Sequence, residues 1–502
     1  MKLALIVDIG TTNIKVGLVN SKGIVLSQKS AENVPFRPER GAYENDPETL
    51  LEAIGKLSTE VAAPHKEEIA FIGLSGYQFG FLPLDEQGNP LGGMMTLLDN
   101  RSKVVMEDLK SLYSYEDIYT KTGCPPLSTY AFARLHWLKN YKPDIFAKAA
   151  RYADLKSFLI EKWTGKFVTE PSIAGATQLL NVQTSDWDED LLKWAGIDRS
   201  KLPKIVAGDN FSGELTAQAA AKLGLNESTP VLPGLYDGAA MILGMGGFGE
   251  EIAVCNLGTT AMFRGCSSSP LLDDPAKMRL QTYPLLPNYW VTGGAVNNAG
   301  VSLSWFKDLL NSSISFEEFL EEVDATNPGA DGLICLPYLT GERDPRIGNE
   351  ASAVFFGLKE YHERKHMVRS ILEGITFSLN LIREAVTENG FQPKLLRVGG
   401  SGAKSDLWLN IIANTLNVKV QRMSTPESAL VGISIIGFKA CGVYESIQSA
   451  TELMVTPGEI FEPSDQIVQK YKNTYDFFKR VLKTMKNLYE LEEGSKNTVG
   501  DA

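Results

Sequence analysis

LALIVDIGTTNIKVG, at residues 3–17, is an apolar strand that runs directly into a Gly-Thr-Thr turn. About half a chain later, residues 252–263 (IAVCNLGTTAMF) repeat the arrangement. Such a turn offers open backbone amides and hydroxyl donors, which a polyphosphate needs from a loop. Either copy alone is equally typical of an ordinary hairpin with a polar turn. The two copies together predict a duplicated phosphate-binding fold.

The two copies differ at the residue two positions before the glycine. The first copy has Asp8 there, whereas the second has Asn256. A carboxylate is a ligand that Mg²⁺ accepts beside phosphates. Only the first copy therefore offers a metal position, and one nucleotide held between two halves explains the asymmetry.

The composition favours small-molecule ligands. The chain has 502 residues, a formal net charge of −12 and no block of Lys or Arg, so we expect no nucleic-acid partner and no membrane surface. This length predicts two or three domains. The five cysteines are scattered and lack metal-type spacing, which is typical of reduced thiols. No apolar run approaches the roughly 20 residues of a membrane span, so we expect a soluble cytoplasmic protein, with a homodimer among the assemblies left open.

The first half has the predicted order strand, strand, strand, helix, strand, which is an α/β pattern with a mixed sheet. After the first hairpin we predict a third strand over residues 24–27. A helix follows over 47–62, with Asp46 as its N-cap. A buried strand then covers residues 69–74.

The second half is expected to repeat this order from residue 250. We predict its third strand at residues 290–292, a helix over 301–310 and a further buried strand over 332–337. Because the order is the same, the two halves are expected to share one plan.

Two regions fall outside the repeated plan. Residues 115–213 are rich in aromatic residues and helix formers, and we interpret them as an insertion that caps one face of a cleft. Residues 464–491 have helical spacing and mixed charge, which predicts a surface helix. We therefore predict an N-terminal domain at 1–245 and a C-terminal domain at 246–502.

A third glycine-rich loop follows a predicted strand at residues 395–406 (LLRVGGSGAKSD) and leads into a helix over 407–416. Glycines let a ring or a phosphate approach the backbone closely, and a helix N-terminus favours anions. Such a loop alone is as often a plain strand-to-helix connection. Beside the two Gly-Thr-Thr turns, it is the natural place for adenine and ribose.

Asp237 is the best candidate for a base that takes a proton from an attacking hydroxyl. It follows the apolar residues 230–233, and small neighbours leave room for a substrate. The alternative is that Asp237 is only the N-cap of the following alanine-rich helix.

Six segments together resemble the FGGY family of carbohydrate kinases, in its gluconate and xylulose kinase branch. The resemblance extends over nearly the whole chain, in the family's order. The segments are residues 8–12 (DIGTT), 236–238 (YDG), 256–260 (NLGTT), 338–343 (YLTGER), 399–402 (GGSG) and a signature that begins at 353–358 (AVFFGL) and continues with His366, Met367 and 370–373 (SILE).

The resemblance implies two RNase H-like domains of the actin, sugar kinase and Hsp70 type, with a deep cleft between them. It implies an ATP-dependent kinase in which the N-terminal domain binds the sugar and the C-terminal domain binds the nucleotide. Asp237 is then the general base, and Asp8 serves Mg²⁺. The residues expected to contact ATP are Gly10, Thr11, Thr12, Asn13, Lys15, Gly258, Thr259, Thr260, Gly399, Gly400, Ser401, Gly402 and Ala403.

The sugar pocket departs from the family pattern. Residues 76–80 (GYQFG) stand where xylulose and gluconate kinases carry a Met-His pair, and residues 97–101 (LLDNR) replace the tryptophan of a Trp-x-Asp-x-Arg segment with leucine. Residues 119–123 (YTKTG) and 293–300 (GGAVNNAG) look most like gluconate kinases. We therefore expect a gluconate-like acid, with xylulose or ribulose next. The residues predicted to contact this substrate are Tyr77, Gln78, Phe79, Asp99, Arg101, Tyr236 and Asp237.

Two alternatives stay open from the sequence. Asp99 and Arg101 could form only a surface salt bridge and leave the sugar untouched. The whole chain could also be a catalytically silent sensor of sugar or nucleotide on the same fold. Asp8 and Asp237 argue against a sensor, since it has no need of a base beside the acceptor.

Overall fold

The computed structural model describes residues 2–310, 319–320, 323, 326–425 and 427–499. These residues form two large mixed sheets, one in each half of the chain, with helices packed on them. This is the two-domain α/β architecture that the sequence predicts. The predicted domain border at 245/246 falls between the last helix of the first half and the first strand of the second.

The strands of the first half are β1 Leu3–Ile9, β2 Asn13–Asn20, β3 Val25–Glu32, β4 Glu44–Asn45, β5 Ile69–Gly76, β6 Leu82–Leu84, β7 Met94–Met95, β8 Arg151–Ala153, β9 Val168–Thr169, β10 Leu180–Asn181, β11 Asp186–Trp187, β12 Lys204–Ile205, β13 Gly213–Glu214 and β14 Pro230–Tyr236. Its helices are α1 Pro47–Ala62, α2 Met106–Leu112, α3 Tyr115–Thr122, α4 Ala131–Tyr141, α5 Pro143–Lys148, α6 Leu155–Thr164, α7 Pro171–Gly175, α8 Glu189–Ala195, α9 Ala217–Leu223 and α10 Asp237–Gly244.

The strands of the second half are β15 Ile252–Leu257, β16 Ala261–Ser267, β17 Gln281–Leu286, β18 Tyr289–Val296, β19 Ile334–Leu336, β20 Val354–Phe356, β21 Leu395–Gly399, β22 Lys419–Met423 and β23 Pro457–Phe461. Its helices are α11 Gly300–Leu309, α12 Arg364–Glu388, α13 Asp406–Leu416, α14 Ser428–Ala440, α15 Ile447–Met454 and α16 Asp465–Val499. Short 3₁₀ helices lie at Ala63–Glu68, Arg101–Val105, Arg199–Lys201, Ala330–Gly332 and Ser401–Lys404.

The first sheet has the strand order β13-β14-β5-β1-β2-β3. Its centre is β1, which pairs antiparallel with β2 and parallel with β5. The register places Asp8 of β1 beside Lys15 of β2 on one side and Ser75 of β5 on the other. β1 is almost wholly buried, as its apolar residues indicate, and Asp8 is its one polar residue. The predicted third strand is confirmed as β3, although it is longer than residues 24–27.

Helix α1 begins and ends as the sequence predicts. The Asp46 carboxylate accepts a hydrogen bond from the Thr49 backbone N–H at 3.0 Å, and Pro47 occupies the first turn, where its missing N–H costs nothing.

The second sheet has the order β17-β18-β16-β15-β21-β22-β23. β15 pairs antiparallel with β16 and parallel with β21, as β1 does with β2 and β5, so the shared plan is confirmed. The buried strand expected at 332–337 is confirmed as β19, but it pairs with β20 outside the main sheet. Strand β17 of the main sheet was not predicted. The chain passes through α12 before β21 takes the position that β5 has in the first half.

The small helices and strands between β5 and β14 form the predicted insertion, which has an apolar core of its own. The helical part starts before residue 115, because α2 packs into the same region. The insertion reaches the second half: the Tyr119 hydroxyl donates to the Leu280 carbonyl at 3.0 Å, and the Trp290 indole donates to the Val182 carbonyl at 2.8 Å. These contacts join the insertion to the second half of the chain.

Helices α10 and α14 pack against each other between the two sheets. Their backbones touch, because a Cβ on Gly244 would lie 1.7 Å from the Ser428 carbonyl oxygen and one on Gly432 would lie 1.8 Å from that of Ala240. Only glycine permits this approach. Although α14 belongs to the second half of the sequence, it packs on β1 and β5 of the first sheet.

The C-terminal helix predicted at 464–491 is α16, which is longer. It packs on the second half, where the Phe478 and Phe377 rings lie 5.2 Å apart and the Tyr471 hydroxyl donates to Glu373 at 2.9 Å. In the part of the chain that the structure describes, no helix has the length and apolarity needed to cross a membrane.

Candidate active site

A cleft of about 1000 Å³ opens between the two sheets. It lies at the carboxyl ends of the central strands, where α/β folds usually bind ligands. Both halves contribute to its walls. Of the residues predicted as ligands, those that line it are Asp8, Gln78, Tyr236, Asp237, Thr260, Gly400 and Ala403.

Asp237 is the first residue of α10 and follows β14 directly. The N-cap of this helix is Tyr236, so Asp237 does not have the capping role that was its alternative. One carboxylate oxygen accepts the Gly238 backbone N–H at 2.7 Å. Desolvation, reinforced by the negative charge of Asp8, raises the pKa of Asp237 to about 7. A carboxylate with such a pKa is suited to accept a proton near neutral pH.

Asp8 lies in the same cleft, near the end of β1. The Ser75 hydroxyl donates to it at 2.6 Å. Desolvation raises the pKa of Asp8, although the Ser75 hydrogen bond and the Lys15 charge act in the opposite direction.

The donor set fits magnesium that arrives with a nucleotide. The described residues contain no group of three or more His, Cys, Asp and Glu side chains that could hold a metal ion. Mg²⁺ in phosphoryl-transfer sites is bound through one or two carboxylates, with substrate phosphates and water completing the octahedron. Asp8 supplies such a carboxylate.

Each Gly-Thr-Thr turn is closed by a hydrogen bond from its glycine, but the first turn is one residue longer. The Gly10 N–H donates to the Asn13 carbonyl at 2.8 Å, and the Gly258 N–H donates to the Thr260 carbonyl at 3.0 Å. The threonines stand at the surface of each turn, with Thr12, Thr259 and Thr260 exposed. The second turn lies on the start of α11, whose Gly300 N–H donates to the Gly258 carbonyl at 3.0 Å.

The third glycine loop needs its glycines for different reasons. Gly400 has φ +90°, and a Cβ there would lie 2.5 Å from the Leu257 carbonyl oxygen. Gly399 and Gly402 face protein atoms, since their Cβ atoms would meet the Met245 sulfur at 2.5 Å and the Trp408 ring at 2.7 Å.

A second cavity, of about 660 Å³, lies beside this loop. Ser401 and Asn410 line it, and Lys404 lines both this cavity and the cleft. Both spaces therefore border the glycine loop.

Each half of the chain matches a protein-family model. The model for the N-terminal domain of the FGGY family of carbohydrate kinases matches residues 3–244, and the C-terminal-domain model matches residues 253–441. The chain belongs to the FGGY family of carbohydrate kinases. It is thus a carbohydrate kinase, as the sequence predicts.

Relatives of this FGGY kinase carry two substrate names. A gluconokinase of Bacillus licheniformis is 29% identical over 497 residues, covering 96% of each chain. A xylulose kinase of Bacillus subtilis (strain 168) is 29% identical over 493 residues, covering 97% of this chain and 98% of that one. The crystal structure of a ligand-bound xylulose kinase from Lactobacillus acidophilus superposes with a TM-score of 0.94 at 26% identity, covering 98% and 99% of the two chains.

Behind Asp237, the FGGY kinase has a buried ion pair that the sequence analysis missed. The Lys156 ammonium lies 2.6 Å from Glu170, both side chains are fully buried, and the ammonium also donates to the Pro233 carbonyl at 3.1 Å. Glu170 accepts the Ser172 hydroxyl at 2.8 Å, and the Ser172 oxygen accepts the Tyr236 backbone N–H at 3.1 Å. This network fixes the end of β14, and so the position of the Asp237 backbone. No local motif marks these residues, because the insertion supplies them from separate helices.

The residues predicted for sugar contact divide into two groups in this kinase. The Gln78 amide lines the cleft and donates to the Ser172 carbonyl at 3.3 Å. Tyr77 and Phe79 point elsewhere: the Tyr77 hydroxyl donates to Asn45 at 2.9 Å, and the Phe79 ring packs 5.4 Å from that of Tyr130.

Asp99 and Arg101 also lie behind the cleft wall, whereas Leu97 of the same segment lines it. Arg101 lies 2.6 Å from fully buried Asp99 and 2.9 Å from Glu39, and it also pairs with Glu44. The geometry favours the ion-pair interpretation, although in a buried network rather than at the surface. A direct sugar contact by these residues stays a prediction.

Lys15, predicted as an ATP ligand, pairs with Glu427 at the N-cap of α14. Glu427 itself lines the cleft, and it is one of several cleft residues that the sequence analysis did not name as ligands. The others include Met262, Arg264, Arg343, Lys404 and Arg422. For Met262 and Arg264 a signal was available, since they alternate along the strand that follows the second Gly-Thr-Thr turn.

Proposed function

We propose that this kinase transfers the γ-phosphoryl group of ATP to a hydroxyl of a small sugar acid of the gluconate type. A ketopentose such as xylulose or ribulose is the second candidate. The position of Asp237 carries the proposal. This carboxylate, with a pKa of about 7, lines the cleft together with Asp8 and Thr260, which belong to the two Gly-Thr-Thr hairpins.

In the proposed reaction Asp237 accepts the proton of the acceptor hydroxyl while the hydroxyl oxygen attacks the γ-phosphorus. The new oxygen–phosphorus bond forms in line with the bond to the β-phosphate oxygen, which breaks, and ADP leaves with that electron pair. Asp237 holds the proton until it returns to solvent. The enzyme's contribution is chiefly the positioning of the two reactants and the neutralisation of charge.

The nucleotide is proposed to span both cavities. Its phosphates meet the turns at Gly10-Thr11-Thr12 and Gly258-Thr259-Thr260, and the adenosine part occupies the 660 Å³ cavity beside Ser401, which has the size of a small-ligand site. Asp8 is placed to hold Mg²⁺. Mg²⁺ bound with the nucleotide neutralises the phosphates and polarises the transferred group.

Two sequence segments support the acid as the first candidate, while the relatives do not decide between the acid and the ketopentose. The segments at 119–123 and 293–300 resemble gluconate kinases, whereas the relatives named gluconokinase and xylulose kinase are equally similar at 29% identity. The positive charge of Arg264, which is buried in the cleft wall, favours the acid further.

The test is ATP consumption by the purified protein with gluconate, xylulose, ribulose, glycerol and related polyols, each against a control without acceptor. We expect strong stimulation by gluconate, with the product identified as a phosphate ester. Stimulation by a ketopentose alone would move the proposal to the second candidate. ATP binding with no stimulation by any sugar or acid would instead support the silent sensor.

A further inference from the structure

Strand β16 places Arg264 on the wall of the cleft. Side chains alternate between the two faces of a strand. Ala261 and Phe263 belong to the apolar core of the second half, whereas Met262 and Arg264 line the cleft. Arg264 follows Thr260 by four residues, so the two positions are about 13 Å apart along the strand.

The Arg264 guanidinium is buried and only partly bonded. The residue is 6% exposed. Its Nη1 donates to the Gln281 carbonyl at 3.1 Å, and its Nη2 donates to the Gln281 side-chain oxygen at 2.8 Å. Its Nε has no hydrogen-bond partner. Among the residues that the structure describes, no carboxylate forms an ion pair with it.

Several other buried or half-buried arginines among the described residues have carboxylate partners. Arg101 is paired with Asp99, Arg279 with Asp273, and Arg369 with Glu373. A buried guanidinium without a counter-charge is costly, and an anion that binds beside it removes much of that cost.

Arg134 is the informative exception. It also lacks a carboxylate partner and has an unbonded Nε, but it donates to the carbonyls of Phe79, Met95 and Thr96 and does not line the cleft. Arg264 therefore differs in having its unpaired charge where a ligand can reach it.

A second unsatisfied polar group lies close to Arg264. The Tyr236 hydroxyl is buried without a hydrogen-bond partner. Burial raises the pKa of Tyr236 to about 12, and the Arg264 charge acts against this shift, which places the two side chains within electrostatic reach. The Tyr283 ring connects them, with its centroid 5.9 Å from the Arg264 guanidinium carbon and 6.1 Å from the Tyr236 ring.

These groups lie on the acceptor side of the cleft. Tyr236 directly precedes Asp237, and the Tyr283 hydroxyl is 3.1 Å from that of Tyr130 in the insertion. At the glycine loop the cation is instead exposed Lys404, which lies in the short helix after Gly400. A planar guanidinium with free N–H donors matches a carboxylate, which accepts two parallel hydrogen bonds.

We propose that Arg264, with the Tyr236 hydroxyl, binds the carboxylate of an aldonic acid substrate and so determines specificity for acids over polyols and ketoses. This inference rests on the proposed kinase reaction and names the group that selects its acceptor. The opposite end of the acid then extends to Asp237 for phosphorylation.

The test compares gluconate with glucitol, which has a CH₂OH group in place of the carboxylate. In the wild-type enzyme we expect kcat/KM to be at least about a hundredfold higher for gluconate, since a buried charge pair is lost with glucitol. Arg264→Gln is expected to lower kcat/KM for gluconate about a hundredfold, mainly through a higher KM. The same variant should change kcat/KM for glucitol only a few fold. Arg264→Lys should restore part of the loss. Arg383→Gln, which removes a half-buried arginine of α12 outside the cleft, is the matched control and should keep the wild-type ratio.

Three outcomes separate this inference from the proposed function. Equal use of gluconate and glucitol by the wild type overturns the inference, even if Arg264→Gln fails to fold. Unchanged gluconate kinetics in a folded Arg264→Gln variant, checked by its melting temperature and ATP binding, overturn it as well. A wild type that phosphorylates only a ketose refutes the carboxylate site while the kinase reaction stands, whereas absence of any acceptor-stimulated ATP consumption refutes the reaction itself.

Discussion

The two Gly-Thr-Thr hairpins share a backbone plan but present different chemistry at the same position. In both, a Gly-Thr-Thr turn joins antiparallel strands, and a parallel strand flanks the first of them. Asp8 of the first hairpin receives a hydrogen bond from Ser75 of its parallel neighbour. Asn256 of the second stands beside Gly399, and Gly400 follows against the Leu257 carbonyl. The repeated hairpin thus has a carboxylate beside it in the first half and glycine backbone beside it in the second.

The two halves can also be compared at the helix that follows the outermost parallel strand of each sheet. β14 leads into α10, which starts at Asp237, and β22 leads towards α14, whose N-cap is Glu427. Both carboxylates line the cleft. Glu427 has the Lys15 ammonium beside it, whereas the pKa of Asp237 is raised, first by desolvation and then by the negative charge of Asp8. The starts of the two helices therefore carry one carboxylate that is paired with a lysine, Glu427, and one that is free to exchange a proton, Asp237.

The largest effect is expected from removing the unpaired carboxylate. Asp237→Asn should lower kcat about 10²- to 10⁴-fold, which is the usual contribution of a general base, while ATP binding measured by calorimetry stays close to wild type. Glu427→Gln is the matched change at the equivalent position. It should lower kcat no more than a few fold, because its carboxylate is already neutralised by Lys15. Wild-type turnover in Asp237→Asn would remove Asp237 from the mechanism.

The next effect comes from making the two hairpins alike. Asp8→Asn gives the first hairpin the residue of the second, and we expect kcat to fall about 10- to 100-fold with a higher Mg²⁺ requirement, because the metal loses its carboxylate. The reciprocal Asn256→Asp adds a negative charge beside the nucleotide and should weaken ATP binding several fold. Mg²⁺ titrations of the rate measure the first change, and calorimetry measures the second. Equal Mg²⁺ dependence in Asp8→Asn and wild type would contradict the assigned metal role.

The pH dependence of kcat/KM tests the effect of Asp8 on the pKa of Asp237. The proposed reaction needs Asp237 deprotonated, and its pKa is about 7, so kcat/KM should fall tenfold per pH unit below pH 7 and level off above it. In Asp8→Asn the neighbouring negative charge is gone, which favours ionisation of Asp237. The residual activity of that variant should therefore keep its plateau to a lower pH. An identical acid limb in both proteins would show that Asp8 does not set this pKa.

The smallest expected effect concerns stability and compares the glycines. Gly400→Ala should lower the free energy of unfolding by about 1–3 kcal/mol, because a Cβ at φ +90° would lie 2.5 Å from the Leu257 carbonyl oxygen. Gly10→Ala, where the nearest atom is 3.2 Å away and φ is not positive, should cost less than about 1 kcal/mol. Denaturant unfolding of both variants checks the order, and a reversed order would contradict the proposed strain at Gly400.

Local sequence signals were enough for the parts of the fold that local contacts determine. The two hairpins, the bounds of α1 and the strand at β5 follow from apolar runs, turn residues and a capping aspartate. The pairing of β19 with β20 and the addition of β17 depend on partners that are distant in sequence, and no local pattern reports them.

The site divides in the same way. Asp8 lies in β1 and Asp237 follows β14, both in recognisable segments, and both line the cleft. The Lys156–Glu170 pair and Arg264 come from three separate elements that only the tertiary fold brings near Asp237. Asp99 and Arg101 illustrate a different limit: a matching segment predicts sugar contact, and the structure adds an ion pair between the two side chains that the segment alone does not require.

The packing of α14 has a consequence for how the molecule loses its structure. This helix is encoded in the second half of the chain, yet it covers the apolar face of the first sheet at β1 and β5. If the second half unfolds, that face becomes exposed to water, and its loss of burial destabilises the first half too. Despite a duplicated architecture, the two halves are thus expected to melt in one cooperative transition. A fragment that ends near residue 245 would lack the cover of its own sheet.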